Sequence, residues 1–188
     1  MPRIIVKPNR WKGLVLGSFA GLAGAMAMSY YWKTVINTIG YDPRKKSDEH
    51  NESQPLDDIS LVGKNYEPGE SSTDAMGRII YTQFKGQPPQ SEETKTALSY
   101  IIHWLISMFA SGFYGAIRGE ASLLDVSGGL GLATGLWLFG DELAVPMLGL
   151  AGGPTAYSTE LHAYSYGAHI AYGLASAAAT QILYRITP

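Results

Sequence analysis

The chain contains no cysteine. Disulfides, thiolate nucleophiles, cysteine-ligated zinc, iron–sulfur clusters and covalent c-type haem are therefore excluded. It has no long basic run and a net charge of -2, so nucleic acid is not an expected partner. Soluble-enzyme signatures are missing too. Gly128-Gly-Leu-Gly lacks the strand, lysine and Ser/Thr context of a phosphate loop, and no Gly-x-Ser-x-Gly elbow occurs. No catalytic residue and no metal ligand set can be assigned, and the chain reads as a non-enzyme. Charge is also scarce outside one block. Residues 33–95 carry most of the acidic and basic side chains, so a mean hydropathy of -0.01 averages a polar loop with very apolar flanks.

Those flanks contain segments of membrane length. Residues 13–32 run without a charge, and about 20 apolar residues span a bilayer as a helix. Lys7, Arg10 and Lys12 precede this run, and Tyr30, Tyr31 and Trp32 close it, as interfacial aromatics do. A basic start and Ala25-Met-Ala27 would also suit a signal peptide, but the run exceeds a usual signal core. A retained membrane helix over 13–35 is the expectation, after a basic tail at 1–12. A second helix is expected over 97–117, led in by Ser91-Glu-Glu and closed by Arg118, the charge order a helix prefers. A third covers 126–150 and is interrupted by Asp141, Glu142 and Pro146. It either includes the acidic pair or breaks near 141–146, as membrane helices do where the freed backbone is covered. A fourth covers 161–186 and is richer in Ala, Gly, Ser and Tyr, so a surface helix competes there.

The fold expected is thus all-α, an integral membrane four-helix bundle with a long polar loop at 36–96. Lys and Arg in the short loops place both termini in the cytoplasm and the long loop outside. The loop begins with disorder-like composition around Asp42 to Asn51. Near 73–85, Ala75, Met76, Ile79, Ile80 and Phe84 recur at helical spacing, which reads as a short amphipathic helix. Ile79, Ile80 and Phe84 are candidate partner contacts; a contact within the chain fits equally well.

Small residues recur every four positions: Gly13, Gly17 and Gly21; Ser107, Ser111 and Gly115; Gly131 and Gly135; Gly167 and Ala171. Such ridges let helix backbones approach closely. They serve packing within the chain, a homodimer or a larger complex.

Polar residues also share faces. His162, Tyr166, His169, Tyr172, Ser176 and Thr180 lie on one face of the fourth segment, and His103 lies with Ser99 and Ser107 on the second. Intramembrane polar groups usually face a bundle interior, so Asp141, Glu142, His103 and His169 are expected to converge, with His162 in the same polar set. Three readings remain open. The groups satisfy one another across helices; or they form a proton or small-solute pathway, since imidazole titrates near neutrality; or a histidine holds a metal or pigment. No cofactor is expected in the first two.

Some of these residues also carry a resemblance. His103-Trp, Gly112-Phe-Tyr-Gly-Ala, the string from Leu136 through Gly140-Asp-Glu-Leu-Ala-Val-Pro to Leu150, Glu160-Leu-His-Ala-Tyr and His169-Ile-Ala-Tyr-Gly together resemble the YagU-like family of bacterial inner-membrane proteins. The likeness spans about three quarters of the chain. It implies a multi-pass inner-membrane protein and no particular reaction, because the family's function is unknown. The function expected is that of a non-catalytic accessory subunit whose partners are the bilayer and other membrane subunits or a second copy. The proton or solute pathway is the alternative.

Overall fold

A computed structural model describes residues 9–45, 54–118 and 125–187. Within them the chain is all-α, with five helices and no strand. Residues 1–8 of the basic tail, residues 46–53 of the loop, the connection at 119–124 and residue 188 fall outside the described residues.

Helix α1 is Arg10–Ile39. Asn9 caps it by accepting the Lys12 backbone N–H at 3.1 Å, and Gly40 closes it. It is longer than the expected 13–35 because its charged first turn and polar last turn continue the helix beyond the uncharged run. Helix α2, Ser72–Lys85, opens on a complete capping box between Ser71 and Asp74. Helix α3, Glu92–Arg118, starts five residues earlier than the apolar run, in an acidic first turn. Helix α4 is a composite. Val126–Gly135 is α-helical, Leu136–Ala144 is π-helical and Val145–Met147 returns to α, all without interruption. The acidic pair therefore lies inside the helix, and no break occurs at 141–146. Pro146 has no N–H, and in a regular α-turn its ring would crowd the carbonyl of residue 142. The wider π turn directly before it gives that residue room. Helix α5, Thr159–Ile186, is capped by Ser158.

The long helices alternate in direction. Gly13 of α1 meets Gly115 near the end of α3, while Lys12 Nζ donates to the Thr187 carbonyl at 2.6 Å at the end of α5. At the opposite end Tyr41 donates to Glu160 at 2.6 Å. α1 packs between α3 and α5, and α4 covers another face of α5. α3 reaches α4 where Tyr114 and Arg118 meet Asp125 and Gly128.

Small residues make these contacts. A Cβ on Gly17 would strike the Ser111 carbonyl, and one on Gly21 would strike that of Ser107. Close backbone approach gives van der Waals contact where two larger side chains would hold the helices apart. Gly167 leaves room for the Tyr31 phenol. Ala171 is half-buried on the same helix. Gly131 and Gly135 make no such contact within the chain: beyond their own helix backbone, no atom lies within 4 Å of where their Cβ would be. The face of α4 that meets Gly173 of α5 carries Gly129 and Ala133 instead. Both pairs have spacing four, so spacing alone could not choose between them.

The second half of the long loop is ordered by backbone pairing, despite its polar composition. Residues 54–65 lie as a strap across the turn joining α4 to α5. Leu61 N–H donates to Met147 at 2.9 Å, Asn65 N–H to Gly149 at 2.7 Å and Gly153 N–H to Asp57 at 2.7 Å. Gly149 is required there: its φ of 66° suits glycine, and a Cβ would collide with the Gly63 carbonyl. α2 then docks on α3 through Ala75 and Gly77, with Thr73 bonded to Ser99 at 2.8 Å. Ile79 is half-buried, Ile80 is exposed, and Phe84 is 85% exposed.

Candidate functional site

The antiparallel pairing of α4 with α5 places the acidic pair. Gly129 lies against Gly173, Thr134 bonds Tyr166 at 3.0 Å, and the next turns of α4 face the first half of α5. Glu142 Oε1 is 2.7 Å from His162 Nδ1. Asp141 Oδ2 is 3.4 Å from His169 Nε2. Successive residues point about 100° apart on a helix, so the neighbours part, Glu142 toward the start of α5 and Asp141 toward its middle. Glu142 is largely covered, whereas the Asp141 side chain is 46% accessible.

Each imidazole is anchored through its second nitrogen. His162 Nε2 donates to the Pro154 carbonyl at 2.8 Å, and His169 Nδ1 donates to the Ser165 carbonyl at 2.9 Å. A carbonyl oxygen only accepts, so it fixes which ring nitrogen carries a proton. The remaining nitrogen of each ring faces a carboxyl group.

His103 is half-buried on α3 and has no hydrogen bond among the described residues, but it lies within electrostatic reach of His169. The four residues do not form one cluster. Asp141 faces His169, whose charge reaches His103 of α3; Glu142 pairs separately with His162. Aromatic rings enclose the second pair. Trp137 stands 6.5 Å from His162 and 4.9 Å from Tyr166 between ring centroids, and Tyr157 is 6.4 Å from His162. The Trp137 indole nitrogen is buried without a partner.

A second polar centre was not singled out from the sequence. Asp125, the N-cap of α4, is buried at the opposite end of the helices. It accepts from the Tyr114 hydroxyl at 2.7 Å, from Arg118 Nε at 2.8 Å and from a second Arg118 nitrogen, and from the Gly128 N–H at 3.1 Å. The Arg118 guanidinium holds its carboxyl down at about 2, assisted against the opposing effect of burial by the Tyr114 and Gly128 bonds. Gln181 of α5 completes the centre by donating to the Arg118 carbonyl at 3.1 Å. The available signal was an Asp directly before an apolar helix, seven residues after an Arg that ends one.

Chemically, these sites pair carboxyl groups with imidazole rings and a guanidinium. Among the described residues no group of three or more His, Asp or Glu side chains is arranged to hold a metal ion. No family model, curated protein or solved structure matches the chain.

Proposed function

We propose that this chain is a multi-pass inner-membrane protein that acts by association, as a non-catalytic accessory subunit. Four helices, α1, α3, α4 and α5, cross the bilayer as a bundle, with both termini in the cytoplasm and α2 and the strap outside. The observation that carries the reading is the distribution of apolar side chains. Ile101, Leu105, Phe109, Phe113 and Ile117 form an exposed band along α3, with Phe109 at 78% and Phe113 at 63% accessible. Trp11, Val15, Phe19, Met26 and Tyr30 form another along α1. Water-soluble monomers rarely expose contiguous apolar surface of that extent, and a bilayer accepts it. Both helices are long and apolar enough to cross a membrane by length and composition.

Association is favoured because the described polar groups mostly satisfy one another, leaving apolar faces and the protruding Phe84 to meet a neighbour. Purification from bacterial membranes in mild detergent tests this. Intact stoichiometric partner subunits are expected; a clean monomer or homodimer would count against it.

The grouping of Asp141, His169 and His103 favours a second reading, a proton or small-solute pathway. Unchanged proton flux in Asp141→Asn and Glu142→Gln variants would sink that reading. An absorbance spectrum of the purified protein tests for a pigment held by histidine.

A further inference from the structure

The Glu142–His162 contact needs a proton inside it. His162 Nε2 faces the Pro154 carbonyl at 2.8 Å, so Nε2 carries a hydrogen. Nδ1 then faces Glu142 Oε1 at 2.7 Å. With a proton between them the contact is either imidazolium with carboxylate or imidazole with carboxylic acid, and it is neutral overall. With that proton removed, two lone pairs and a net negative charge meet at hydrogen-bond distance, and the contact becomes repulsive.

The same imidazole joins two parts of the fold. Through Nδ1 it holds the π stretch of α4. Through Nε2 it holds the Pro154 turn, and that turn carries the strap: Gly153 donates to the Asp57 carbonyl, and Thr155 to the Asp57 carboxylate at 2.8 Å. We propose that Glu142 and His162 form a proton-binding latch, in which one bound proton clasps α4 to α5 and keeps the 54–65 strap seated over their turn. Proton loss opens the clasp and releases the strap. The latch differs from a conducting pathway, because it needs no second site and moves no net solute.

The groups around it are few. From α4 come Glu142, the neighbouring Asp141, which points to His169, and the Trp137 ring. The connecting turn supplies the Pro154 carbonyl and the Tyr157 ring. From α5 itself comes Glu160, engaged by Tyr41 of the loop after α1. From the strap comes Asp57, bonded to Thr155.

The absence of cysteine makes the test direct. Spin labels are attached to Val62→Cys on the strap and Ala163→Cys on α5 in the full chain, reconstituted in lipid nanodiscs. The distance between them is measured from about pH 5 to about pH 9, an interval that brackets ordinary histidine titration. Nitrogen-15 spectra of the histidine rings are recorded over the same range. A narrow distribution at low pH that broadens about twofold at high pH is expected, as for a locally released segment. Loss of the His162 Nδ1 proton signal should coincide with that broadening. Glu142→Gln should keep the distribution narrow throughout, since its amide N–H donates to the bare ring nitrogen. An unchanged wild-type distribution would overturn the latch. So would a Glu142→Gln variant that broadens like wild type. If that variant does not fold, the wild-type data decide alone: a strap midpoint that departs from the His162 proton midpoint excludes the latch.

Discussion

Asp125 concentrates more bonding than any other side chain described, and the cluster around it draws on three helices. Tyr114 and Arg118 belong to α3, Gly128 to the first turn of α4, and Gln181 of α5 holds the Arg118 backbone. Asp125→Ala removes a helix cap, worth about 1 kcal/mol, and strands a buried tyrosine hydroxyl, worth about 1–3 kcal/mol. Arg118 is partly solvated and adds less. A loss of about 2–3 kcal/mol is expected, read as a lower unfolding midpoint in detergent; a shift indistinguishable from wild type would show the cluster to be dispensable. The pH dependence follows from the depressed carboxyl. Its stabilising contribution is complete above the unfolded value near 4 and is lost as pH falls toward about 2. The unfolding midpoint of wild type should therefore drop between about pH 4 and about pH 2 by more than that of Asp125→Asn. Glycine gives the second contrast at this scale. Gly17→Ala drives a methyl into the Ser111 carbonyl, whereas Gly131→Ala meets open space. The first should destabilise by about 2 kcal/mol through the overpacking of a tight contact. The second should be neutral or stabilise by up to about 1 kcal/mol through helix propensity. Equal effects in thermal unfolding would refute this assignment of contact faces. The sequence showed both glycines in the same four-residue rhythm; which face of α4 meets α5 is decided by the partner helix, which no local pattern encodes.

At the scale of elements, the helices were legible because their apolar runs are long, and their ends were less so. Arg10, Lys12 and residues 92–96 are charged or polar and helical nonetheless, since the N–H groups of a first turn find caps or water. The π stretch of α4 was partly visible as a conflict: an apolar run of membrane length interrupted by two acids and a proline. A break and a widened turn both relieve that conflict, and the structure takes the second. The strap was least legible. Its order comes from backbone bonds to a turn about 90 residues away, and its composition resembles that of segments that cannot fold alone. One side chain holds its far end: Arg78 of α2 bonds Glu70 at 2.7 and 2.8 Å and the Asn65 carbonyl at 2.8 Å. Although burial opposes it, the Arg78 bond keeps the Glu70 carboxyl below its ordinary value. Arg78→Ala should leave the helices intact and expose the 54–70 segment to limited proteolysis, with cleavage several-fold faster than in wild type. Equal cleavage rates would show that the backbone bonds suffice without the clamp.

For the whole molecule, the order of helix ends makes the strongest demand on topology. The start of α1, the end of α3, the start of α4 and the end of α5 are gathered at one end, around Lys12, Gly115, Asp125 and Thr187. The end of α1, the α4–α5 turn with its strap, and the start of α5 are gathered at the other, around Tyr41, Met147 and Glu160. A bilayer crossed by all four long helices must then separate Phe84, which follows the strap on α2, from Thr187. With no native cysteine to interfere, single Phe84→Cys and Thr187→Cys variants can be exposed in intact bacterial cells with permeabilised outer membranes to a thiol reagent that does not cross the inner membrane. The proposed orientation, argued from the positive-inside distribution of Arg10, Lys12 and Arg118, has the Thr187 end in the cytoplasm. Phe84→Cys should react readily, and Thr187→Cys only after the inner membrane is opened. The reverse pattern would invert the orientation while keeping four crossings. Immediate reaction at both positions would place the two ends in the same compartment, which the packing of four antiparallel helices across a bilayer does not permit.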